Sequence, residues 1–95
     1  MESRKSVGLL EVDGVCAAFV AIDIAAKAGN VVIESMERTR QGCNVCIKMR
    51  GDVSAVQAAM EAAVEGVSQI SKVGTHSVIA APTFDINKML DYSDI

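Results

Sequence analysis

The chain changes its hydrophobic period at glycines, and those changes divide it into short blocks that alternate between strand-like and helix-like spacing. Ser6 to Val12 is compact and apolar and predicts a strand. Asp13-Gly14 breaks it and can start a helix. Val15, Ala18, Phe19, Ile22 and Ala26 then recur at helical spacing, and Gly29-Asn30 ends that helix as a pair tolerant of left-handed backbone. A second strand begins at the β-branched Val31-Val32-Ile33 and runs to Arg38. Thr39 to Asn44 is polar, contains Gly42 and reads as a turn. Val45, Ile47 and Met49 alternate with Cys46, Lys48 and Arg50, which predicts a half-buried strand closing a hairpin. After Gly51-Asp52, the residues Val53, Val56, Met60, Ala63, Val64, Val67 and Ile70 share one helical face. Ala55, Ala58, Ala59 and Ala62 keep much of the rest small and permit close packing. Gly74 is expected to end this segment, His76 to Ala80 to form the last strand, and Pro82 to stop it. Phe84, Ile86, Met89 and Leu90 form a short amphipathic tail helix.

The order is β-α-β-β-α-β with a short C-terminal helix. This is the ferredoxin-like α+β arrangement, one antiparallel sheet with two helices on one face, and residues 1–95 fit a single domain. With 51% hydrophobic residues the chain is not disordered. Its apolar mass is Ala, Val and Ile, with no Trp, one Tyr and two Phe. So much small apolar surface in so short a chain suggests burial between subunits as well as within one. A net charge of -3 disfavours nucleic-acid binding, which needs excess Lys and Arg. No run of about 18 apolar residues is present to span a membrane, and the start Met1-Glu2-Ser3-Arg4-Lys5 leads into too short an apolar stretch for a secretory signal. The expectation is a cytosolic protein.

Three cysteines, Cys16, Cys43 and Cys46, are odd in number and do not suggest a disulfide framework. Cys43 and Cys46 are spaced as Cys-x-x-Cys. Redox chemistry, however, wants both thiols at a helix N-terminus, whereas this segment runs from a turn into a strand. Residues i and i+3 on a strand face opposite ways, which suits neither a shared bond nor one zinc ion. Cys46 is expected to be a small buried residue and Cys16 to fill the core. Cys43, in a turn beside Arg40, Gln41 and Gly42, is expected to be exposed. His76 is the only histidine and is expected to be structural or solvated. Gly-rich phosphate loops and paired carboxylates are absent, so an enzyme is not expected.

Several segments together resemble a bacterial microcompartment shell protein of the single-domain, hexamer-forming kind. They are Val7 to Gly14, Ile22 to Val31, Met49 to Val56, and Val78 to Pro82. The resemblance implies a BMC domain and a structural role: six copies form a tile with a central pore for metabolites, and tiles pack edge to edge, with other shell proteins, around encapsulated enzymes in the cytoplasm. It implies that the turn from Arg38 to Asn44 lines the pore, through Arg40, Gln41, Gly42, Cys43 and Asn44, and that Lys27 lies at the hexamer edge. Ala81 stands where the family usually has an arginine, which weakens the edge motif around Lys27. The turn is longer than the family's usual Gly/Ser-rich pore loop and carries a charge and a thiol. In that it resembles shell proteins of glycyl-radical propanediol microcompartments, which implies an iron–sulfur cluster of the 4Fe–4S type, shared by several subunits through Cys43. The alternatives are a small cytosolic redox or metal-binding module and a ligand-sensing module of the same fold.

Overall fold

A computed structural model of the chain describes residues 5–39 and 44–80. Its elements are β1 (Ser6–Asp13), α1 (Val15–Ala28), β2 (Val32–Arg38), β3 (Asn44–Gly51), α2 (Val53–Ser68) and β4 (Val73–Ile79). The strands form one sheet in the order β2-β3-β1-β4, and every neighbouring pair is antiparallel. This is the expected ferredoxin-like α+β order. The expected tail helix lies outside the described residues.

The register puts Leu10 opposite Ile47, Val12 opposite Val45 and Gly8 opposite Met49. Residues opposite one another share a face of the sheet. Leu10, Val12, Val45, Ile47 and Met49 are all buried and belong to one core with residues of both helices. The helices therefore cover this face. α2 contributes Val56, Ala59, Met60, Ala63 and Val67, close to the stripe expected from sequence.

α1 departs from the expected stripe. Its buried residues are Ala17, Ala18, Ala21 and Ala25, while Val15 and Phe19 are 39% and 56% exposed. Both faces of the helix carry apolar residues, so periodicity alone could not choose between them. The small face goes inward because α1 packs tightly against α2. Gly29 marks the closest point: a Cβ there would collide with the carbonyl oxygen of Ala55. Gly29 is extended (φ -146°), not left-handed as expected, so it is required for space and not for backbone freedom. Gly14 is the opposite case. Its φ is +101° and nothing lies near its missing Cβ, so only its conformation calls for glycine.

β4 also starts earlier than expected, at Val73, and takes in Gly74. Added bulk at Gly74 would meet the Glu11 carboxylate, with a Cβ 2.6 Å from Oε1. Gly74 thus lies inside a strand and does not end a helix, and the Glu11 side chain could swing aside from a Cβ there.

Gly29→Ala is expected to cost about 1–3 kcal/mol, as overpacking against fixed backbone does, and Ile47→Ala about 2–5 kcal/mol, as a core truncation. Denaturant unfolding followed by circular dichroism checks both.

Candidate functional site

The first candidate region is the tip of the β2–β3 hairpin. The Thr39 N–H donates to the Asn44 carbonyl at 2.9 Å, and the Thr39 hydroxyl reaches the same oxygen at 3.4 Å. These contacts close the base of the turn. Asn44 opens β3 opposite Asp13. Of the expected pore-lining residues it is the one the structure describes; Arg40, Gln41, Gly42 and Cys43 lie outside the described residues.

The same end of the sheet holds the start of α1. Asp13 donates its N–H to the Lys72 carbonyl at 3.0 Å and accepts from Ser71 Oγ at 2.8 Å, which ties β1 to the entry of β4. A shallow cavity of about 380 Å³ opens here between Val15, Cys16, Val20, Ile70 and Ser71. Its apolar lips face solvent, with Ile70 62% exposed.

Lys27 lies at the other end. α1 leaves Gly14 beside the hairpin tip and runs 14 residues, or roughly 20 Å at 1.5 Å per residue, before the chain turns into β2. Lys27 sits in its last turn, and its Nζ is 3.0 Å from Asp23 Oδ2. Sequence reading singled out Lys27 and missed Asp23, although the i,i+4 spacing of an acid before a base was the available signal. Ala81 lies outside the described residues.

The sheet face away from the helices carries charge. Lys48 Nζ is 2.8 Å from Glu37 Oε1, with the Lys48 side chain only 7% exposed. Arg50 Nε is 3.9 Å from Glu34 Oε2. Alternation along β3 placed Lys48 and Arg50 on this face but not their partners, which come from β2.

The described thiols sit apart. Cys16 is exposed in the first turn of α1, beside the cavity. It does not fill the core as expected, because α1 turns its alanines inward. Cys46 is half-buried on the helix-free face, opposite Glu37 on one side and Glu11 on the other. Burial pushes its thiol pKa up; the Lys48 ammonium opposes this, and Glu37 and Glu11 add to it. A thiol kept protonated is a poor nucleophile and a poor ligand. His76 is exposed on β4. Among the described residues no group of three or more His, Cys, Asp and Glu side chains is placed to hold a metal ion, and no helix is long and apolar enough to cross a membrane.

Residues 6–82 match the BMC domain. The chain is 37% identical over 79 residues to the bacterial microcompartment shell protein PduK of Citrobacter freundii, covering 83% of this chain and 51% of the relative. It thus spans about half the length of that protein. To the bacterial microcompartment shell protein PduA of the same organism it is 33% identical over 87 residues, covering 92% of each. In fold it is similar to a microcompartments protein from Desulfitobacterium hafniense, with a TM-score of 0.78 at 21% identity, over 96% of this chain and 49% of the other.

The two described thiols are expected to react differently. Cys16 is modified readily by a thiol reagent at mildly alkaline pH, while Cys46 resists until the protein unfolds; mass spectrometry of labelled peptides checks this. The raised pKa of Cys46 also fixes a sign. Its neutral form is favoured in the folded state, so its contribution to stability is complete below the ordinary thiol pKa and is lost as pH rises through the folded value.

Proposed function

Because the chain belongs to the BMC domain family, whose match covers residues 6–82, and is similar to microcompartment shell proteins, we propose that it acts as a tile of a cytoplasmic microcompartment shell: a cyclic homohexamer with the β2–β3 hairpin tips at its centre and the Lys27 ends at its rim. Its role is structural. The supporting observation is the placement of the two regions at opposite ends of the sheet, roughly the length of α1 apart. A six-fold ring needs two different patches on each subunit, because its contacts are head to tail. The exposed Val15 and Phe19 on α1, and Val32 and Val53 at the starts of β2 and α2, offer apolar surface on separate elements.

The central opening passes metabolites between the encapsulated enzymes and the cytoplasm. Arg40 makes it basic and favours anionic ones, with Gln41, Gly42, Cys43 and Asn44 completing its lining. At the rim, tiles join one another and other shell proteins. The loss of the family arginine at Ala81 leaves more of that contact to Lys27.

The iron–sulfur expectation stands as part of the same proposal, in a restricted form. Cys16 is exposed on α1, and Cys46 is half-buried on the helix-free face of the sheet, where burial raises its thiol pKa, so the two described thiols share no site. A 4Fe–4S cluster would therefore be held by Cys43 of several subunits and would supply one-electron chemistry at the pore. A small redox or metal-binding module acting alone has less support, for the same reason, and ligand sensing has no described site beyond the open cavity at Cys16.

Light scattering is expected to give a particle of six times 10.0 kDa, and Phe19→Ser to shift it toward smaller species. A stable monomer at micromolar concentration overturns the tile reading. After anaerobic purification, Cys43→Ser is expected to abolish iron and sulfide binding while the hexamer persists, with Cys16→Ser and Cys46→Ser keeping the metal. Wild-type iron content in Cys43→Ser leaves a plain transport pore.

A further inference from the structure

Two ion pairs bracket an irregularity in the edge strand β2. Ile33 lies opposite Met49 and Ser35 opposite Lys48, so Glu34 is the extra residue of a bulge. On one side of it Arg50 Nε is 3.9 Å from Glu34 Oε2, and on the other Lys48 Nζ is 2.8 Å from Glu37 Oε1. The second pair is diagonal, because Glu37 itself lies opposite Cys46, and long side chains span that distance. A nearly buried lysine adds little net stability, since its desolvation offsets the attraction. The best-attested use of such a pair is to select one register.

Register matters at the turn. With the bulge in place, the Thr39 N–H bonds to the Asn44 carbonyl and residues 40–43 lie between. In a ladder without it, each residue of β2 beyond Ile33 would move by one place. Glu37 would lie opposite the core residue Val45, Met36 would turn to the charged face opposite Cys46, and Thr39 would lie opposite Cys43. Cys43 would then be a ladder residue and no longer part of the turn.

We propose that Glu37 and Lys48 are positioning residues for the central opening: their pair holds the bulge at Glu34 and thereby fixes residues 40–43 as those the tile presents there. The inference rests on the reading of the hairpin tip as the centre of the tile. A slip by one residue takes the Glu37 carboxylate into the apolar core and leaves Glu34 to serve both Lys48 and Arg50. The charges thus oppose the wrong register, whatever they add to stability.

The test uses the full chain, with mass read by light scattering, register by methyl NMR and the turn by pulsed electron paramagnetic resonance of a nitroxide on Cys43 in a Cys16→Ser background. The wild type is expected to show one Met36 methyl signal, in contact with Ile47, and one narrow set of label distances. Glu37→Leu with Lys48→Leu is expected to unfold no more easily than the wild type, since apolar replacement of both partners strands no charge. It is nevertheless expected to show a second Met36 signal without the Ile47 contact, and broadened distances. The reversed pair, Glu37→Lys with Lys48→Glu, restores the single signal and the narrow distances. A purely structural pair predicts one register in every variant, and that result overturns the proposal. A second register with unchanged label distances overturns it too, as does a reversed pair that behaves like the apolar one. A wild-type chain that is not hexameric defeats the tile reading instead, and the Met36 signals still report whether the pair holds the bulge.

Discussion

Any side chain at position 29 would run into the carbonyl of Ala55, and the four buried residues of α1 are all alanine. The approach of α1 to α2 therefore decides how the domain distributes its apolar residues. Alanine faces remove little area from water, at roughly 25 cal/mol per Å², but they bring two backbones together and let Met60, Val56 and Val67 of α2 reach the sheet. The larger residues of α1 are displaced to the outside as a consequence. Val15 and Phe19 are exposed because the inner surface has no room for them. A helix built this way has a tight inner face and an apolar outer face, and the outer one is suited to contact with another subunit.

The order of the six elements was legible because the hydrophobic period changes at glycines, and the bounds of α1 follow from Gly14 and Gly29. The alternation of β3 correctly separated Val45, Ile47 and Met49 from Cys46, Lys48 and Arg50. What the sequence did not settle had physical causes. The inward face of α1 depends on the distance to α2, which no local pattern encodes. Gly74 looked like a stop, since a glycine inside a strand is indistinguishable in sequence from one that breaks a helix. Cys16 was expected in the core because its helix packs on the sheet, but it falls on the outer side of α1 and is exposed. Lys27 stood out through family resemblance and Asp23 did not, although both sit on one exposed ridge. The other expected site residues, Arg40 to Cys43 and Ala81, fall outside the described part of the chain.

The helix-free face of the sheet follows a different rule from the core. It is held by ion pairs between β2 and β3, with Lys48 almost buried against Glu37. A buried cation is tolerated when its partner is close, and removing the partner costs more than the pair contributes, because the remaining charge is stranded. The pairing fixes β2 against β3 in addition to the backbone ladder, near a register shift between Ile33 and Ser35. Cys46 lies among the same charges, but it is burial first that pushes its thiol pKa up, against the opposing Lys48 ammonium. The sheet thus carries a half-buried thiol of raised pKa in β3, the strand that follows the turn containing Cys43.

Thr39 and Asn44 close the hairpin at its base with hydrogen bonds to a single carbonyl oxygen. The intervening residues 40–43 are thus joined to the frame at two fixed points. Four residues reach at most about 14 Å when fully extended, and less when both ends must return to neighbouring strands. Side-chain chemistry can therefore be exchanged at those positions without disturbing the strands below, as long as the bond at the base persists. The hairpin acts as a socket: one short insert can be exchanged for another while the strand pairings that carry it stay where they were.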